Sequence, residues 1–477
     1  MTRRPYLPVL SRLARFLWAT TLVTLPVTSF RYFPAGEGTY VRPLAFFPLS
    51  LLLICLLFQL WRRQVAPPRA GAITPLLALI LVLVIGSLLG LLSAPVPMRG
   101  QEIGGRILRA SVTVLMGIGF FIAAIWMNRD EAQLRFSVKW LLAGFAIDVL
   151  WSGVQAATFY LQVLPKPLVT QWQRLFSLRE LIRTNRISGM AYEPSWLAGQ
   201  IATLYFPWLL AAILTGIRIH KPRWVEPCLL AAAIALVLAS FSRGGILTLT
   251  AAAVLTLILA GGAGLRALRD WFMSGFGRAR ELAVRLAILV VVVAAAAGAG
   301  LLLSQKGYVS RLWDSPIADL SDFLVQNSAG ARGAYIASAM QIYEEHPWTG
   351  VGIGASGLYM YARIPDWALT TVPEIARQLS PESTLYPNPK NLYVRLLAEA
   401  GLLGLVLYFA FQLSLLGDAL TALRSGPTIW RYLGVAALCT WLALAFYNLT
   451  QDSFATPNLW INLGILAGVS ESQLAEG

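Results

Sequence analysis

Apolar runs separated by short polar, often arginine-bearing stretches repeat along most of the chain. A helix needs about 20 apolar residues to cross a bilayer. Segments that meet or approach that length run roughly over 13–30, 44–61, 72–93, 107–127, 140–164 and 194–217, and again over 225–241, 244–264, 284–304, 391–416, 432–448 and 457–470. The pattern predicts an all-α integral membrane protein, a polytopic bundle of about 12 transmembrane helices. The N-terminal apolar run follows Arg3, Arg4, Arg12 and Arg15 without a small-residue cleavage pattern, so it reads as a retained first helix.

The long hydrophilic segment, residues 305–390, falls between the ninth and tenth predicted helices. It divides the chain into helices 1–9 (1–304), the loop (305–390) and helices 10–12 (391–477), and it is too long for an idle connector. Within it, Arg332, Tyr335, Ile336, Ala339, Met340 and Tyr343 recur at helical spacing, with Ser338, Gln341 and Glu345 opposite. This predicts an amphipathic helix lying over the bundle, with Arg332 turned inward, where an arginine requires an anion. The helix should stop at His346-Pro347, and Gly350, Gly352, Gly354 and Gly357 make the following turn permissive.

Composition agrees with the membrane class: of 477 residues, 57% are hydrophobic and 13% charged. The net charge of +15 does not imply nucleic acid, because the basic residues lie in short clusters between apolar runs. Placing both termini inside puts dense clusters such as Arg62, Arg63 and Arg69, and Arg218, Lys221 and Arg223, in the cytoplasm, and leaves the large loop outside. A second basic cluster, Lys166, Arg174, Arg179, Arg183 and Arg186, then falls outside, where it fits either an anionic ligand or anionic lipid headgroups. Cys55, Cys228 and Cys439 sit in apolar runs without disulfide or metal-site spacing, so no metal or redox cofactor is expected.

Three motifs fall at the outer ends of predicted spans. In Arg186-Ile-Ser-Gly-Met-Ala-Tyr-Glu193-Pro194-Ser195, Pro194 suits the first position of a helix and leaves Glu193 at its mouth. Glu193 is placed there either for proton transfer or as a capping carboxylate. In Ser242-Arg243-Gly244-Gly245, Ser242 can cap the next helix, whose free N–H groups and Arg243 would suit phosphate; a surface arginine at a turn is the alternative. In Pro387-Asn388-Pro389-Lys390-Asn391-Leu392-Tyr393, followed by Arg395, Glu399, Gly401 and Gly404, the asparagines cap a helix or meet sugar hydroxyls, and the glycines read as close helix packing.

Taken in order around one large loop, these motifs resemble the O-antigen ligase and O-antigen polymerase (Wzy-type) superfamily of bacterial surface polysaccharide assembly. The resemblance covers roughly residues 180–415 and includes Arg332 leading to His346-Pro347-Trp-Thr-Gly350-Val-Gly352-Ile-Gly354. It implies a GT-C-like, metal-independent glycosyltransferase of the bacterial inner membrane that uses undecaprenyl-diphosphate-linked glycans as donors. It also implies that Arg243 and Arg332 match the family's outer arginines, expected to hold the donor pyrophosphate. Ligases of this family usually carry a histidine directly before the asparagine that opens the helix after the loop, and here that position is Lys390. Together with the Glu-Pro-Ser motif, this departure favours the polymerase branch.

The expected reaction joins two lipid-linked oligosaccharides. Arg243 and Arg332 stabilise the departing diphosphate, Glu193 is the general base, and Arg186, Ser195, Ser242, Lys390 and Asn391 contact substrate. Expected partners are the lipid-linked oligosaccharides, the bilayer and a chain-length regulator or other polysaccharide-assembly proteins. The competing readings are a ligase acting on lipid A core or protein, and a transporter or flippase. Against the last, the halves show no self-similarity of the kind repeat-built transporters carry. Trp313, Tyr335, Trp348, Tyr359, Tyr361 and Trp367 suit sugar stacking or an interfacial aromatic belt.

Overall fold

The computed structural model describes residues 8–34, 39–93, 95–179, 186–260, 330–380, 383, 386–424 and 428–476, with short stretches between 269 and 290. Among the described residues the chain is all-helical, without a strand beyond two isolated bridges. Its main helices are α1 (Pro8–Val23), α2 (Phe46–Trp61), α3 (Ile73–Ser93), α4 (Ile103–Trp126), α5 (Glu131–Phe159) and α6 (Lys166–Arg174). They continue with α7 (Pro194–Thr215), α8 (Val225–Ala239), α9 (Arg243–Leu259) and α10 (Gly330–Glu345). Three short helices follow, α11 (Ser356–Met360), α12 (Asp366–Thr371) and α13 (Pro373–Leu379), and then α14 (Leu392–Arg424), α15 (Thr428–Tyr447) and α16 (Ile461–Glu476).

Six of these helices, α3, α4, α5, α7, α14 and α15, are long and apolar enough to cross a membrane. α2, α8 and α9 are shorter and apolar. The predicted ninth span, 284–304, lies mostly outside the described residues. The fifth span is longer than its apolar run suggests: Asp130 caps α5 by accepting from Gln133 N at 2.8 Å, so the helix starts at Glu131 and carries a polar first turn.

α7 contains a π turn at Ile201–Tyr205. The carbonyls of Thr203 and Leu204 there accept from Asn462 Nδ2, each at 3.0 Å, so a break in the usual ladder stays satisfied in the bundle centre.

α14 is broken at Gly401, with φ 64° and ψ −167°. The broken ends are completed by the turn after α10: Leu402 N donates to Pro347 O at 2.7 Å, while Val351 N and Gly352 N donate to Ala398 O and Glu399 O, each at 3.0 Å. The glycine-rich stretch therefore acts as a plug for an interrupted helix. It also packs against the small residues of α3, where a side chain at Gly86 or Gly90 would collide with the carbonyls of Thr349 and Val351. Gly401 was expected to allow close packing between helices; its role is instead to let the backbone turn out of the helix.

The amphipathic loop helix forms as expected and ends at Glu345, but its buried face is rotated. Ala331, Ala334, Tyr335, Ser338, Ala339 and Ile342 are buried, whereas Arg332 is exposed and does not turn inward. The small residues decide the face, because they let α10 approach its neighbours closely. Ser338 satisfies its hydroxyl on Ala334 O at 2.8 Å and so sits inside at little cost. A reading based on large apolar residues misses such a stripe.

Candidate functional site

The ends of α5 and α8, the starts of α7, α9 and α14, and the end of α15 meet at one side of the bundle, and each of the three motifs is there. The first begins with Arg186, whose Nε and Nη2 donate to the carbonyls of Ser240 (2.7 Å) and Phe241 (3.2 Å) at the end of α8. It is thereby fixed beside Ser242-Arg243.

The next residues form a turn gripped from below. Gln155 Oε1 accepts from Ser188 N and Gly189 N, each at 3.0 Å, and Asp148 Oδ1 accepts from Met190 N at 2.7 Å. Thr28 Oγ1 accepts from Tyr192 N at 2.9 Å. Gly189 has φ +57°, and a Cβ there would stand 2.4 Å from Asp148 Oδ1.

This turn delivers Glu193 to the start of α7, with Pro194 as the first helical residue. Glu193 does not cap the helix through its side chain. Its Oε1 accepts from Arg179 Nη1 at 2.8 Å and its Oε2 from Ser195 Oγ at 3.1 Å. The carboxylate is half-exposed, so water and substrate can reach it. Tyr192 stacks obliquely on Tyr40 and Trp196, with ring centroids 5.2 and 5.3 Å apart, and the three rings form an aromatic wall next to Glu193. Trp196 continues into a narrow cleft with Thr28, Gln200, Tyr447 and Asn458.

The second motif packs directly on the first. Ser242 caps α9 by accepting from Gly245 N at 3.2 Å, and a Cβ on Gly245 would meet Ala198 Cβ of α7 at 2.3 Å. Arg243, the first residue of α9, is exposed at this junction. Gly244 faces Thr450, which belongs to the turn after α15.

That same turn receives the third motif. Leu392 N donates to Asn448 O at 2.8 Å, and Lys390 N donates to Asp452 Oδ2 at 3.2 Å. Lys390 is exposed and takes a left-handed backbone, φ 48°. Asn391 accepts from Tyr393 N and Val394 N, so it caps α14. One turn in, Arg395 Nε pairs with Glu399 Oε2 at 2.9 Å and its Nη1 holds Asp452 O at 2.5 Å, while Ser356 Oγ donates to Glu399 Oε1 at 2.8 Å. Burial raises the Asp452 carboxyl above its ordinary pKa, and the Arg395 charge opposes that shift.

Of the expected residues, Arg186 is bonded to the turn that leads into Ser242 and Arg243, Glu193 is bonded to Ser195, and α7 and α9 pack together where Gly245 meets Ala198; Lys390 and Asn391 border the 448–452 turn, which Gly244 also faces. Arg332 lies on the exposed side of α10. Asp148, Gln155 and Asp452 were not singled out from the sequence. The signal for the first was present, since a carboxylate inside an apolar span marks a buried role; Asp452 sits in an unremarkable polar turn. Among the loop aromatics, Tyr335 is buried and Trp348 exposed, and Trp313 lies outside the described residues.

Residues 228–409 match the O-antigen ligase family model. The matched stretch runs from α8 into α14 and includes Ser242-Arg243, Arg332, the His-Pro-glycine plug and the Asn391–Gly404 segment. It supports the superfamily of O-antigen ligases and polymerases, and with it a glycosyltransferase-like enzyme of polysaccharide assembly held in a membrane. No curated protein matches the chain. Among the described residues, no cluster of three His, Cys, Asp or Glu side chains forms a metal site.

Proposed function

We propose that the protein is a polysaccharide polymerase that transfers a glycan from an undecaprenyl-diphosphate-linked donor to a lipid-linked repeat unit, at the outer face of the bacterial cytoplasmic membrane. The observation that supports this reading is the placement of a carboxylate, Glu193 at the start of α7, and of two arginines, Arg186 and Arg243 at the junction of α8 with α9, on helices that pack together where Gly245 meets Ala198. Arginines in such a place complement a diphosphate, and the helix start of α9 adds backbone N–H groups to the same field.

In the reaction, an acceptor hydroxyl oxygen attacks the donor's anomeric carbon and forms the new glycosidic bond. The bond from that carbon to the diphosphate oxygen breaks, and undecaprenyl diphosphate leaves with the bonding electrons. Glu193 takes the hydroxyl proton, with Ser195 and Arg179 fixing its orientation. Arg243, supported by Arg186, stabilises the departing charge, and Arg332, exposed on α10, is the further cation that the family resemblance assigns to the diphosphate; cations held facing a developing negative charge lower the barrier to such a step. Asp452, behind Lys390, is a second carboxylate within the same group. The aromatic wall of Tyr40, Tyr192 and Trp196 gives sugar rings a surface to lie on.

The ligase reading has one specific observation in its favour, the description of the matching family. Product size separates the two: a polymerase makes a ladder of increasing length, whereas a ligase moves one preformed chain. Purified protein incubated with authentic lipid-linked repeat units makes this test directly, and the absence of a ladder rejects the polymerase.

A further inference from the structure

α6 follows the end of α5, a helix long and apolar enough to cross a membrane, after a short connection. Its two faces differ sharply. Val169 and Gln173 are buried, whereas Leu168, Trp172 and Leu175 are exposed, and Leu161 and Val163 just before the helix are 71% and 70% exposed. Cations frame this apolar surface. Lys166 lies over the ring of Phe159, Arg174 ends the helix, and Arg31 is drawn to the same place by donating to Arg174 O at 3.3 Å. A short helix with an outward apolar face and flanking cations is the pattern of an element that lies in the headgroup region.

The inward face leads to the candidate site. Gln173 Oε1 accepts from Trp151 Nε1 at 2.8 Å and from Gln155 Nε2 at 3.1 Å. Gln155 is the side chain that holds Ser188 N, Gly189 N and Gly189 O, and so the turn that carries Glu193. One glutamine pair separates the membrane-facing helix from that turn.

We propose that α6 and the residues before it form a docking surface for anionic lipid headgroups of the bilayer, and that this docking steadies the Ser188–Tyr192 turn through Gln173 and Gln155. The occupant follows from charge complementarity: three cations around an exposed apolar face suit a headgroup with its acyl chains, a combination no soluble anion offers. The inference concerns lipid binding and does not depend on the sugar chemistry.

Hydrogen–deuterium exchange of the full-length protein in lipid nanodiscs tests it. Discs of phosphatidylcholine are compared with discs containing phosphatidylglycerol, for wild type and for a Lys166→Gln/Arg174→Gln variant. Each cation near an anionic surface contributes about fivefold to binding. Exchange over 166–176 and over 187–192 should therefore slow by about that factor in the anionic discs, and the variant should lose most of the difference. Equal exchange in both discs overturns the proposal. Equal slowing by soluble glycerol phosphate in phosphatidylcholine discs overturns the lipid assignment, and slowing confined to 166–176 overturns the coupling to the turn.

Discussion

Replacing Gly401 by alanine probes the most unusual piece of backbone in the molecule. With φ 64° and ψ −167°, the residue occupies a region open essentially to glycine alone, and forcing a side chain there costs about 1–3 kcal/mol. The added Cβ would also stand 2.3 Å from the carbonyl carbon and oxygen of Trp348 and 2.6 Å from Thr349 N, all of them backbone atoms that cannot swing aside. Separating the two sides of this junction leaves the Leu402 N–H, now 2.7 Å from Pro347 O, without its acceptor, at a further cost of about 1–3 kcal/mol where an apolar surrounding offers no water in its place. The sum, about 2–6 kcal/mol, is a large part of the 5–15 kcal/mol typical of folded proteins. At roughly 2 °C per kcal/mol for large domains, the thermal midpoint should fall by roughly 4–12 °C. Gly417→Ala, in the same helix and facing open space, is the matched control and should leave the midpoint unchanged or slightly higher. Thermal unfolding of both variants in the same detergent decides the matter. A Gly401→Ala protein as stable as the control would refute the account of the plug and the broken helix.

Other variants test the site and its supports. Gly189→Ala, with its Cβ 2.4 Å from Asp148 Oδ1 and φ +57°, should cost about 1–3 kcal/mol by thermal unfolding and displace Glu193. Arg395→Ala leaves the nearly buried Glu399 carboxylate without its charged partner, with only the Ser356 hydroxyl donating to it, and should destabilise by about 3–5 kcal/mol; a double change to two apolar residues of similar size should recover much of that. Glu193→Gln should lower the transfer rate by about 10²–10⁴ while the protein folds normally, as read by size-exclusion profile and product formation together. Asp452 has its pKa raised by burial, so the folded protein holds that proton to higher pH than the unfolded chain; its stability contribution is present at low pH and is lost as pH rises through the raised value. Asp452→Asn should flatten that part of the stability profile, measured as thermal midpoint against pH.

The helical membrane architecture is legible in the apolar runs because the bilayer imposes a length on them that no packing detail overrides. The helix starts are legible for a similarly local reason: Pro194 and Ser242 act on their own backbone neighbours, and the structure places both as read. What the pattern does not disclose is long-range. Gly401 looks like any small residue of a span until the chain around Trp348 is brought against it. The inward face of α10 is set by Ala331, Ala334 and Ser338, which carry little hydropathy signal, and so Arg332 is found outside. Asp148 and Gln155 become meaningful only when the Ser188–Tyr192 turn, more than thirty residues later, is seen to hang from them. The sequence predicts one side of the membrane for Arg186, Glu193, Ser242 and Arg243; the hydrogen bonds that hold Arg186, Glu193 and Ser242 come only with the fold.

The most direct test of the central claim is extension of undecaprenyl-diphosphate-linked repeat units by purified wild type, Arg243→Ala and Arg332→Ala, with chelator present throughout. The account predicts a ladder of products from wild type that both variants lose while remaining folded. A single transferred chain, or no product from authentic substrate, would contradict the polymerase assignment, and a ladder undiminished in Arg243→Ala would contradict the site.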